Sequence, residues 1–137
     1  MFKKPFNHDY EKLILLIKHF FTEFDKLDEQ YLSEILKKQK IEIIKTNNQY
    51  TKAKALAILG LLIQRLYHIE LHSYQYYGAW KLLHGYCVEM ATGEGKTFTA
   101  AIAAIIAAFN HRRVHVLTTN DYLAKRDAEW MGQLYYN

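Results

Sequence analysis

Over its first two thirds the chain repeats one theme, apolar side chains returning every three or four positions. Leu13, Leu16, Ile17, Phe20 and Phe24 keep that spacing, Ile14 and Phe21 widen the stripe, and Lys12, Lys18 and Glu23 fall outside it. The period is that of an amphipathic helix, with Asp9 placed to cap its start. Asp25 to Asp28 breaks the pattern. A second helix is expected from Glu29 to about Ile44, with Tyr31, Leu32, Ile35 and Leu36 on its inner face. Lys37, Lys38 and Lys40 suit the dipole of its C-terminal half and read as a solvated face. Thr46 to Gln49 reads as a loop. A third helix, from about Thr51 to Tyr67, is apolar on nearly all sides between Ala55 and Ile63, so neighbours must cover it. A fourth is expected from near Ser73 to Leu83, carrying Tyr74, Tyr77 and Trp80, with Gly85 placed to end it.

Beyond Gly85 the period changes. Tyr86 to Met90 and Val114 to Thr118 are short apolar runs that read as strands, on either side of an Ala/Ile helix from Lys96 to about Phe109. Asn110-His111-Arg112-Arg113 turns the chain between that helix and the second run. Strand, helix and strand within about thirty residues form a βαβ unit, which closes right-handed in nearly all cases. Asn120 or Asp121 then caps a last helix through Leu123, Ala124, Ala128, Met131 and Leu134. A parallel pair of strands expects further strands on its flanks, and bare edges invite self-association. The chain therefore reads as a piece of a longer protein, or as one that needs a partner to cover its sheet.

Between the first run and the Ala/Ile helix lies Met90-Ala91-Thr92-Gly93-Glu94-Gly95-Lys96-Thr97. A Gly-rich turn at a helix N-terminus lets backbone N–H groups converge on phosphate oxygens, where the helix dipole already favours negative charge. In that geometry Lys96 reaches the β- and γ-phosphates and the Thr97 hydroxyl sits on Mg²⁺. Met90 stands where the full G-x-x-x-x-G-K-[ST] pattern has glycine; Ala91, Gly93, Gly95, Lys96 and Thr97 keep most of the tighter helicase-like form. The expected fold class is thus α/β, an incomplete P-loop NTPase core of the helicase-like motor type. A helical region, residues 1–70, precedes the partial nucleotide-binding domain, residues 71–137.

Composition narrows the picture further. The 137 residues suffice for one domain with a modest core, and 50% are hydrophobic with one proline and six glycines, which excludes a disordered chain. A net charge of +4 is spread without a sustained basic run, so composition does not demand a nucleic-acid partner. Cys87 is the one cysteine, which leaves no internal disulfide framework and fits a reducing, cytoplasmic setting; within Tyr86-Cys87-Val88 it reads as a buried strand residue. Residues 1–6 lack the pattern of a secretory signal, and the two greasiest stretches are too short to span a bilayer. His68 and His72 stand four apart, but Glu70 is one place late for H-E-x-x-H and no third metal ligand stands out.

The stretches Glu89 to Thr97 and Val114-His115-Val116-Leu117-Thr118-Thr119-Asn120-Asp121-Tyr122-Leu123-Ala124-Lys125-Arg126-Asp127-Ala128-Glu129-Trp130-Met131 resemble the start of the SecA preprotein translocase ATPase family. A third, weaker match runs from Gln75 to Ala79 and on through Leu83-His84-Gly85. The resemblance implies ATP and Mg²⁺ as cofactors, with Gln75 holding the adenine, and Gly93, Glu94, Gly95, Lys96 and Thr97 around the phosphates. It also implies a cytoplasmic motor peripheral to the inner membrane, with a SecY-type channel and secretory preproteins as partners. Asp121, Arg126 and Asp127 fall in the family's second helicase-like motif, with a surface salt-bridge helix as the plainer reading. Glu70 and His72 replace the Arg and Phe usual upstream of the glutamine. The acidic Walker B pair and the second motor domain's arginines lie beyond this chain, so it is expected to bind nucleotide without turning it over. Two alternatives stand beside this one. A nucleic-acid helicase lobe is disfavoured by Asp121, an acid where the strand backbone would bind, and a non-enzymatic module would dock through its sheet edge or N-terminal helices.

Overall fold

The computed structural model describes residues 8–110 and 113–136. The reading of residues 1–6 and the turn at 111–112 lie outside the described residues. Six helices follow one another: α1 (His8–Phe24), α2 (Glu29–Thr46), α3 (Gln49–Tyr67), α4 (Ser73–Leu83), α5 (Lys96–Asn110) and α6 (Asp121–Tyr136).

α3 is the hub. Every residue from Thr51 to Ile63 is buried apart from Lys54, as a helix apolar all round requires. α1 and α2 pack along it, and α5 and α6 meet it from another side. Asn48 starts α3 by accepting the Thr51 N–H at 2.9 Å, and Asp28 does the same for α2 with the Tyr31 N–H at 2.8 Å. α1 already includes His8, so Asp9 lies inside the helix instead of capping it. Tyr10 joins α1 to α4, its hydroxyl donating to Ser73 Oγ at 2.8 Å and its ring meeting Tyr77 edge-on. One hydrophobic cluster takes in Leu13, Leu32, Leu56, Tyr76, Ile102 and Met131, with members on all six helices.

The α/β expectation is overturned: the described residues contain helices and no strand, so there is no βαβ core. Residues 86–90 and 114–118 are extended but unladdered. A strand is held by hydrogen bonds to a neighbour, and neither run has such a neighbour among the described residues. The self-association expected of a sheet edge loses its basis with the sheet. Cys87 is corrected for the same reason: it lies exposed at the surface, beside Tyr86 at 58% exposure. Leu117 is 90% exposed. The inner face of α2 is also corrected. Tyr31 faces solvent, while Ser33, Gln39 and Ile43 join Leu32 and Leu36 inside, because α2 lies against both α3 and α5.

Candidate functional site

Residues 91–95 join the extended segment to α5 in a tight turn. Gly93 and Gly95 have φ of +85° and +75°, the left-handed region that side chains resist. Glu94 closes the turn between them. Its N–H donates to the Ala91 carbonyl at 3.3 Å, and its carboxylate Oε2 accepts the Ala91 N–H at 2.9 Å. α5 starts at Lys96, and the Thr99 N–H bonds the Gly95 carbonyl at 3.1 Å, so the Lys96 and Thr97 amides precede the helix's own ladder. A left-handed glycine turn opening onto a helix N-terminus is an anion-binding geometry.

Gln75 fastens this turn to α4. The side chain is buried, its Oε1 accepting the His72 N–H at 2.7 Å and its Nε2 donating to the Glu94 carbonyl at 2.9 Å. The first bond secures the start of α4, and the second ties that start to the loop. A Cβ at Gly95 would run into the Gln75 amide nitrogen, which gives that glycine a second reason beyond its φ. Gly78 brings α4 close to α5, since a Cβ there would stand 3.1 Å from Thr99 Cγ2. Beside Gln75, burial pushes the Tyr76 phenol well above its ordinary range, with the Glu70 carboxylate adding to the shift.

The structure thus brings Gln75, Glu94 and Gly95 into direct contact, with Gly93, Lys96 and Thr97 contiguous in the same turn. Lys96 is exposed and forms no ion pair among the described residues. Thr97 is half-buried in the first turn of α5. Among the described residues no group of three or more His, Cys, Asp or Glu is placed to hold a metal ion. His68 ends α3 in a left-handed conformation and His72 precedes α4, so the two imidazoles share no helix face. Arg126 donates from Nε and Nη2 to Asp127 Oδ1 at 2.9 and 2.6 Å, a partly exposed pair, and Asp121 is exposed in the first turn of α6. The composite role of Gln75 lay outside sequence reasoning, because its partner Glu94 is 19 residues away.

These features define a helical platform with a left-handed glycine turn at the start of α5, and comparison with known proteins says to which family it belongs. Residues 3–137 match the family model of the SecA DEAD-like domain. The chain is 45% identical over 108 residues to the protein translocase subunit SecA 2 of Mycolicibacterium smegmatis, covering 79% of this chain and 14% of that protein. It is 33% identical over 143 residues to protein translocase subunit SecA of Nitratidesulfovibrio vulgaris, covering 98% of this chain and 17% of that protein. With the SecA 2 of Thermobifida fusca it shares 61% over 61 residues, 44% of this chain and 8% of that protein. The chain belongs to the SecA family, and it spans a sixth or less of the length of these relatives.

Proposed function

We propose that this chain is the N-terminal, ATP-binding portion of a SecA-type translocase motor that serves protein export from the cytoplasm. The supporting observation is the loop itself: two left-handed glycines, leading-turn amides ahead of the α5 ladder, and the exposed Lys96 ammonium with no ion-pair partner among the described residues. The amides of Lys96 and Thr97 bind phosphate oxygens, and the Lys96 ammonium balances their charge. The Thr97 hydroxyl is the group this loop offers to a nucleotide-borne Mg²⁺, which keeps most of its waters and neutralises phosphate charge when bound. A single hydroxyl fits that shared role and would not hold the ion alone. Gln75 has the donor and acceptor an adenine edge needs, and it gives up the Glu94 carbonyl or the His72 amide to use them. A SecY-type channel, secretory preproteins and the inner-membrane surface are the partners this reading carries with it.

Calorimetric titration with ADP and Mg²⁺ tests the nucleotide part. Binding heat is expected from the unaltered chain, with affinity at least about tenfold weaker after Lys96→Ala, the loss of one charge-assisted contact. No heat, or equal heat from both, overturns the proposal.

A further inference from the structure

Away from the loop, next to Trp80 of α4, Lys52 occupies an odd position. It lies in the first turn of α3, only 8% exposed, and no ion pair or hydrogen bond of its side chain exists among the described residues. Its Nζ lies 5.8 Å from the centre of the Trp80 ring, a cation–π contact. Two terms work against a cation there. Burial removes water and lowers the ammonium's pKa, and the start of a helix carries positive dipole. Lys52 also lines a cavity of about 610 Å³. Its walls are mixed: Leu82 from α4, Ala103 and Ala107 from α5, and Val114 and Val116 from the extended segment give one apolar side, and Asn47, Asn110 and His115 add polar groups around it. Among the described residues no acidic side chain lines it.

We propose that this cavity is a binding site for a small aliphatic monocarboxylate, its head on Lys52 and its hydrocarbon body along the α5 alanines. An anion there pairs with the ammonium close to the start of α3, where Asn47 and Lys52 border the cavity, and offsets the cost of leaving that cation unpaired. A single negative charge matches Lys52, the one lysine or arginine among the described lining residues. The half-exposed Val116 and Leu82 side chains gain cover from a hydrocarbon body and none from a small hydrated anion such as phosphate. The volume is that of ordinary small-molecule sites. This site shares no residue with the phosphate loop, so its test stands apart from nucleotide binding.

The test is titration of the chain with octanoate, below its micellar range, followed by calorimetry and by amide shifts of residues 47–52 and 100–107. Octanol, acetate and inorganic phosphate serve as the tail-only, head-only and hydrated-anion arms. Octanoate is expected to bind at least about tenfold more tightly than each of the three, a difference that one charge-assisted contact and one buried chain supply. Lys52→Met, which keeps the stem and removes the charge, is expected to level octanoate with octanol and to raise the melting temperature. Ala107→Leu, which narrows the cavity, is expected to weaken octanoate with Lys52 intact. Equal binding of octanoate and octanol by the unaltered chain overturns the site, as does octanoate affinity unchanged in Lys52→Met. Tighter binding of phosphate than of octanoate overturns the ligand class.

Discussion

Gly60 and Tyr76 set how closely α3 and α4 approach. A Cβ at Gly60 would collide with the Tyr76 hydroxyl and stand 3.0 Å from Phe21 Cζ, so the small residue is a packing requirement. Gly60→Ala is expected to destabilise the fold by about 1–3 kcal/mol, the usual cost of overpacking. A urea melt reads it as a lower midpoint at unchanged slope; an unchanged midpoint would mean that α3 and α4 have slack. Two buried groups give the chain a pH signature. The Tyr76 phenol is raised from 10.0, so above that pH the folded state holds more protons than the unfolded one and stability falls as pH rises. Lys52 is lowered from 10.5, so the unfolded state holds more protons below that pH and stability rises toward it. Melting temperature is therefore expected to climb on the approach to pH 10 and to drop beyond. Lys52→Met flattens the climb. Tyr76→Phe makes the drop shallower without abolishing it, because burial also raises Tyr67 and Tyr135. A drop of the same steepness in Tyr76→Phe would assign it elsewhere.

The helices were written in the sequence because each carries its own period and its own punctuation. Asn48, Asp28 and Asn120 accept the amide three residues on at 2.9, 2.8 and 2.9 Å, and Gly85 follows α4 with φ of +78°. The α3 cap is the one whose loss reaches furthest, since that helix touches most of the others. Asn48→Ala is expected to cost about 1 kcal/mol, with Asn48→Asp close to neutral; chemical denaturation of the three chains decides, and equal stability of all three would leave the cap without effect. The face of α2 was harder to read. Ser33 turns inward because its hydroxyl donates to the Glu29 carbonyl at 2.9 Å, which makes a polar residue tolerable inside and breaks the simple stripe. The strand readings failed for a different reason. A run such as Tyr86 to Met90 has strand composition, but strand structure is a property of pairs, and composition is silent on whether a partner is present. At the loop, the left-handed turn made by Gly93 and Gly95 was legible from spacing. The Gln75–Glu94 bond was not, since only the packing of α4 on α5 brings those residues together. Lys52 left one faint trace, a charge at the start of a helix whose next turns are apolar all round.

At the scale of the molecule, order is concentrated in the hub and thins toward the extended segments. α3 is enclosed by α1, α2, α5 and α6, and its amides are bonded within the helix and shielded by side chains. Tyr67, Phe98 and Trp130 form an edge-on aromatic series at 5.5 and 5.0 Å that carries this packing across to α6, where the Tyr67 hydroxyl donates to the Trp130 carbonyl at 2.9 Å. α6 itself buries only Met131 and Leu134, so it adheres to the hub by a narrow strip. Residues 114–118 have no ladder among the described residues, and their side chains are only partly covered or exposed. Opening free energy follows such differences in contact and bonding, so native-state hydrogen exchange should rank the chain in that order. The α3 amides from Ala55 to Ile63 are expected to exchange only through global unfolding, with protection equal to the stability measured by denaturant. Amides in α6 should exchange through a local opening, faster than α3 by at least about an order of magnitude, a gap of about 1.4 kcal/mol. Those of residues 114–118 should exchange at nearly the rate of an unfolded peptide. Slow exchange at alternate positions of residues 114–118 would be the mark of a ladder, and would replace the helical description of this chain with a mixed one. Equal protection in α3 and α6 would instead dissolve the hub, leaving six helices that open as one unit.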